Sequence, residues 1–277
     1  VFAGKKLING IELYLEYDHL KPASERKNFS DPKEIPYIIM HGHSANHFFM
    51  KPLYDAFRAQ GLPVLMFDLR GHGWSQKNLS GQYTLDRCVE DLHALYETVL
   101  KQEFGYTHFY LSGHSMGGFI AMKYALQNPD TLAKLVLLST SPRIVDGLLR
   151  RIGLNFVIRG FKTNYAKWFG MKKKDHIRIG LEFFPQWDDS SLLPDPTAIV
   201  EFMEDMKYYS VENRLGHIAI PTFVCMSRFD GTMTLKMYQK LVQGIPGAKG
   251  YLFDKYKHNI TIEARAELPQ LLMDFFY

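Results

Sequence analysis

Tyr110-Leu111-Ser112-Gly113-His114-Ser115-Met116-Gly117-Gly118-Phe119-Ile120-Ala121 joins a short apolar strand to an apolar helix through a turn of the form Gly-x-Ser-x-Gly. A serine at such a strand-to-helix turn is forced onto a strained, exposed corner. The glycines on either side are required because a Cβ at those positions would collide with neighbouring backbone. Ser115 is the expected nucleophile, and the helix it opens, residues 116–127, is stopped by Asn128-Pro129.

The same rhythm runs outward from this turn. Apolar strands are expected at residues 37–40, 64–67, 109–111 and 135–138, with helical periods between them at 45–60 and 85–100, where Val89, Leu92, Tyr96 and Val99 recur at helical spacing. Short buried strands alternating with helices are the mark of a mostly parallel sheet, so the fold class is α/β. Leu7-Ile8-Asn9-Gly10-Ile11-Glu12-Leu13 places Asn-Gly between alternating apolar residues, which predicts an antiparallel hairpin at the N-terminus. The rhythm breaks over residues 143–217, where aromatic-rich helical stretches are interrupted by Gly153, Gly160, Gly170 and Pro185. It resumes with strands at 222–226 and 251–253 and a final helix over 262–276. The expected organisation is a core of residues 1–142 and 218–277 carrying an inserted segment, 143–217.

Composition narrows the function. With 277 residues, 46% hydrophobic and 22% charged, the chain can bury a real core. A formal charge of +4 over that length is too weak for a nucleic-acid footprint. The apolar runs fall far short of the roughly 20 residues that cross a bilayer, so no transmembrane segment is expected. The first residues lack the pattern of a secretory signal, and two cysteines, Cys88 and Cys225, are too few for a disulfide framework; a cytoplasmic address is expected.

A serine hydroxyl needs a base, and the base needs an acid to fix its tautomer and stabilise its charge. Asp230 stands just beyond the strand at 222–226 and His258 just beyond the strand at 251–253, both where the carboxyl edge of the sheet would present them. Asp230 also has a plain structural reading as the cap of a helix starting near Thr232. The oxyanion requires two backbone N–H donors, expected from Met116, after the nucleophile, and His43, in the loop after the strand ending at Met40. His41, His43 and His47 are close in sequence, but their positions do not converge and no carboxylate or cysteine joins them, so neither a metal nor a cofactor is expected.

On these motifs the chain resembles the α/β-hydrolase family over nearly its whole length: His41-Gly42 after one strand, Asp68-Leu69-Arg70-Gly71-His72-Gly73-Trp74-Ser75 after the next, the turn at Ser115, then Asp230 and His258. The acid loop reads Ser227-Arg228-Phe229-Asp230 where the family usually has Gly-x-x-Asp, and Lys257 replaces the glycine that usually precedes the histidine. The resemblance implies that Asp68, Arg70 and His72 fix their loop and that residues 143–217 form a helical cap over the site. It also implies carboxylesterase or monoacylglycerol-lipase-like chemistry, since relatives with aspartate at the turn are the dehalogenases and epoxide hydrolases. Two alternatives share the fold and triad: a carbon–carbon bond hydrolase and a receptor that binds without turnover.

Between Arg143 and Arg178 lie ten lysines and arginines against Asp146 and Asp175. Such a run is ordinarily a solvated helix face, but it could also steer a small anionic ester, an acidic carrier protein or an anionic lipid surface. Trp168, Phe184 and Trp187 are the expected aromatic lining of the substrate pocket.

Overall fold

A computed structural model of the chain describes residues 1–26, 31–144, 153, 155–156, 158–160 and 190–277. Its centre is an eight-stranded sheet built from β1 (Phe2–Ile8), β2 (Ile11–Asp18), β3 (Tyr37–Met40), β4 (Val64–Phe67), β5 (Phe109–His114), β6 (Leu132–Leu138), β7 (Thr222–Ser227) and β8 (Lys249–Phe253). The strand order is β1-β2-β4-β3-β5-β6-β7-β8, and every pairing from β4 through β8 is parallel. The expected hairpin forms β1 and β2, closing with Ile8 opposite Ile11. Asn9 and Gly10 at its turn take φ of 51° and 77°, the left-handed pair that a two-residue hairpin demands.

The central strands read as unbroken apolar runs because helices cover both of their faces. Ile38, Met40, Leu65, Phe67, Leu111 and Leu137 point to one side, where they meet α2 (Leu85–Leu95) and α3 (Met116–Gln127). The alternate residues Tyr37, Ile39, Val64, Met66, Tyr110 and Leu138 point to the other, against α1 (Lys51–Ala59). Further along the chain, α4 (Pro196–Met206) and α5 (Leu235–Gly244) join the first side, and α6 (Ile260–Glu263) and α7 (Leu268–Phe276) the second. No helix among the described residues is long and apolar enough to cross a membrane.

Two helices differ from expectation. The helix expected over 45–60 begins only at Lys51: Ser44 takes a left-handed φ of 61°, and the Asn46 side chain accepts from Phe48 N–H to cap a separate short turn, His47–Phe49. The helix expected over 262–276 is two helices, α6 and α7; Pro269, which lacks an N–H, sits in the first turn of α7, a position it tolerates and a helix interior does not. The helix expected over 85–100 holds, with α2 running on as a wider π-helical stretch, Tyr96–Glu103.

The two ends of the segment expected to be inserted, residues 143–217, lie side by side. Arg143 pairs antiparallel with Ser210, and Val211 N–H donates to Pro142 O at 2.9 Å. Of its described residues, α4 lies against the first side of the core through Ala198, Phe202 and Met206.

Candidate active site

Strand order brings the expected site residues together at the carboxyl ends of the parallel strands. β3 and β5 are neighbours in register, Met40 beside Gly113, so the loop after β3 lies against the turn after β5. Along the same edge Asp230 follows β7, two strands beyond β5, and His258 follows β8, three strands beyond it.

Ser115 adopts φ 52° and ψ −115°, a conformation that costs of order 1–3 kcal/mol and persists only where surroundings over-determine it. They do so here. A Cβ at Gly113 would lie 2.1 Å from Gly117 O, and one at Gly117 2.6 Å from His41 O, so only glycine lets helix α3 approach the sheet this closely. Ser115 N–H donates to Leu138 O at 2.9 Å, and Thr140 Oγ1 donates to Ser115 O at 2.8 Å, pinning the turn from β6.

His258 Nδ1 lies 2.8 Å from Asp230 Oδ2. The carboxylate can only accept, so Nδ1 carries the proton and Nε2 is left basic. Asp230 also makes the contacts of its structural reading as a cap: its other oxygen, Oδ1, accepts from Thr232 N–H at 2.8 Å and Met233 N–H at 2.9 Å. Burial alone would raise this carboxyl. The hydrogen bond from His258 and its charge, with the two backbone donors, outweigh burial and hold it below its ordinary value.

His43 and Met116 both border the site. Met116 is the first residue of α3, where N–H groups have no acceptor within the helix. The loop that carries His43 is braced on both sides: a Cβ at Gly42 would come within 3.0 Å of Ser115 Cβ, and the His43 ring donates from Nε2 to Ile199 O of α4 at 3.0 Å.

The remaining polar residues of the motif fix loops, as the resemblance implies. Buried Asp68 accepts from His47 N–H at 2.7 Å, His47 Nδ1 at 2.8 Å and Trp74 N–H at 2.9 Å. Arg70 grips Asp91 with Nε and Nη2, each at 2.7 Å, and His72 Nε2 accepts from Ser44 N–H at 3.2 Å. His47 thus spends its ring on a carboxylate.

A cavity of about 280 Å³ opens over Ser115 and His258, lined by His43, Met116, Phe119, Ile144, Met203, Met206, Thr232 and Met233. Sequence reasoning missed this lining. Met203 and Met206 are three apart on α4, which puts them on one helix face, but nothing local says that this face meets Ser115. The expected lining residues Trp168, Phe184 and Trp187 lie outside the described residues, as do most of the basic residues between Arg143 and Arg178.

Three buried histidines around the site are held neutral. Burial, with repulsion from His258, pushes His114 down to about 3. Burial, reinforced by His41, drives His72 well below its ordinary value, and burial lowers His41 against the pull of Asp68. The unfolded chain takes up protons near 6.5 that the fold refuses, so each ring's contribution is intact above that pH and is lost as pH falls toward the folded value. Asp230 and Asp68, held low, keep theirs until pH falls below the ordinary carboxylate value of 3.8. The unfolding free energy measured by urea titration should therefore fall as pH drops below 6.5, with His114 contributing up to about 1.4 kcal/mol per pH unit and His72 and His41 acting in the same direction. Unchanged stability between pH 6.5 and 4 would contradict this.

Comparison with known proteins bears on the family and the fold. The profile of the Hydrolase_4 family, described as serine aminopeptidase S33, matches residues 32–265. A proline iminopeptidase of Saccharolobus solfataricus is 25% identical over 98% of this chain and 91% of its own length. A pimeloyl-[acyl-carrier protein] methyl ester esterase of Neisseria meningitidis is 23% identical over 92% of this chain and 81% of its own. Among solved structures, an esterase from Exiguobacterium antarcticum superposes with a TM-score of 0.80 at 18% identity, covering 99% of each chain. The chain belongs to the Hydrolase_4 family and is a serine hydrolase of the α/β-hydrolase fold.

Proposed function

We propose that the protein hydrolyses carboxylic esters of small apolar acids through an acyl-enzyme. Ser115 Oγ attacks the ester carbonyl while His258 Nε2 takes its proton, and the charge on the carbonyl oxygen is met by the N–H groups of His43 and Met116. His258 returns the proton to the leaving alcohol, then activates water to release the acid, with Asp230 holding the imidazole in its working tautomer throughout. The observation that carries this reading is the 2.8 Å hydrogen bond between His258 and Asp230, with His258 lining the same cavity as Ser115.

The family's description and its iminopeptidase relatives offer peptide hydrolysis as a second reading. The cavity lining favours esters. Met116, Phe119, Ile144, Met203, Met206 and Met233 give it an apolar, adaptable wall, and no carboxylate lines it among the described residues to receive the ammonium of a peptide N-terminus. An unpaired buried ammonium costs several kcal/mol. At least about a hundredfold in kcat/KM should therefore separate short-chain nitrophenyl esters from prolyl or alanyl nitroanilides. A volume of about 280 Å³ lies at the small end of ligand pockets, which favours short acyl groups. Equal or faster cleavage of the nitroanilides would reject the ester reading.

Residues 143–217 are proposed to act as the cap over this site, through α4 in the described part. An acyl group presented on an acidic carrier is a variant of the same reaction, carried by the basic run from Arg143 to Arg178 and by the relatives named as carrier-protein ester esterases. Cys88 and Cys225, both buried and unpaired, suit a reducing, cytoplasmic setting.

A further inference from the structure

We infer that His114 is a positioning residue for the hydrolysis, fixing through its ring the loop that carries His258; the inference rests on the reading above that Ser115 and His258 perform the reaction. His114 is the last residue of β5, 3% exposed, and its Nε2 lies 2.9 Å from the main-chain oxygen of His258. A carbonyl only accepts, so Nε2 carries the ring's proton. The two rings stand 5.0 Å apart, centroid to centroid, tilted by 53°. On its other side the His114 ring faces the oxyanion loop, where a Cβ at Gly42 would sit 3.2 Å from Nδ1. One buried ring thus touches the loops on both sides of Ser115.

The His258 loop needs such a fixture. It spans only the residues between the end of β8 at Phe253 and the start of α6 at Ile260, and two of its tethers fall on the residues just before the imidazole. Ser227 Oγ donates to Tyr256 O, and Lys257 N–H donates to Glu263 Oε2 at 2.5 Å. At His258 itself the side chain is held by Asp230 and the main chain by His114. With two anchors, one on Nδ1 and one on the carbonyl, the ring cannot swing without breaking a hydrogen bond.

A histidine is an expensive way to fill this space unless its N–H is used. Its Nδ1 is buried with no hydrogen-bond partner among the described residues, a cost that an apolar side chain would avoid. Its charge state matters too. When His258 becomes imidazolium, a second cation 5.0 Å away would oppose it, and burial keeps His114 neutral.

The test compares His114→Leu, which removes the donor, with His114→Gln, whose amide nitrogen reaches about as far as Nε2. The parent and Ser115→Ala are run beside them on a short-chain nitrophenyl ester, with folding checked by thermal unfolding. In His114→Leu, kcat is expected to fall tenfold to a hundredfold, KM to stay within about twofold, and labelling by a fluorophosphonate probe to slow in step with kcat. His114→Gln should recover kcat to within about threefold of the parent. A folded Leu variant as fast as the parent, or folded Leu and Gln variants that lose kcat equally, would overturn the inference. Should the Leu variant not fold, the Gln variant decides: within about threefold of the parent upholds it, and a folded Gln variant slowed a hundredfold rejects it. Turnover or labelling that persists in Ser115→Ala would instead overturn the assignment of the nucleophile, whatever His114 does.

Discussion

Ser115→Ala is expected to remove ester turnover almost entirely, by about six orders of magnitude, while leaving the fold and its thermal stability in place. The size of the effect follows from the role: the hydroxyl oxygen is the attacking atom, and no neighbouring group can stand in for it. The fold survives because alanine keeps the Cβ, and the turn is held by groups other than the hydroxyl. These are the close approach of Gly113 to Gly117, the hydrogen bond from Ser115 N–H to Leu138 O, and that from Thr140 to Ser115 O. A fluorophosphonate should label the parent and not the variant, and circular dichroism melts should coincide. The parent's own kinetics carry a second result: a receptor on this fold would release at most one equivalent of product, whereas the proposed enzyme turns over repeatedly. Labelling at another residue, or a variant that still turns over, would remove Ser115 from the mechanism.

Much of this was legible in the sequence because it is local. The central strands announced themselves as short apolar runs, since helices cover both of their faces, and the hairpin was written in Asn9-Gly10. Ser115 was legible because a Gly-x-Ser-x-Gly turn between strand and helix has one steric solution, which the contacts at Gly113 and Gly117 now exhibit. Asp230 and His258 could be picked out only by position after a strand, and they meet because β7 and β8 are neighbours in the sheet.

What the sequence withheld depends on distant contacts. The start of α1 shifted because Ser44 takes a left-handed conformation, and a serine gives no notice of that. His41, His43 and His47 invited comparison with metal ligands, yet the His47 ring is committed to Asp68 and the His43 ring to Ile199 on α4, partners 21 and 156 residues away. His114 looked like the variable position of a motif; its importance lies in the His258 carbonyl, 144 residues on. The hydrogen bond from His43 to Ile199 also ties α4 to the loop expected to bind the oxyanion, so α4 supports that loop as well as lining the cavity.

The second large effect concerns the pair behind the nucleophile. Asp230→Asn should lower kcat by about four orders of magnitude, although it is nearly isosteric. Its retained oxygen can still cap Thr232 and Met233, so the loop keeps its shape, but an amide N–H then faces the Nδ1–H of His258. Two donors cannot share a 2.8 Å contact, and the imidazole escapes by moving its proton to Nε2, the atom that must accept from Ser115. His258→Ala removes the base outright and should cost about as much as Ser115→Ala. Combining either change with Ser115→Ala should add little, because the three groups act as a unit. Asp254→Asn is the control: that carboxylate is 70% exposed and, among the described residues, pairs with Arg228 Nε at 2.6 Å, so its loss should leave turnover near that of the parent. If Asp254→Asn proved the more damaging change, or if the losses at Asp230 and His258 added to that at Ser115 in full, these residues would not form one proton relay, and the acid would have to be sought elsewhere on the carboxyl edge of the sheet.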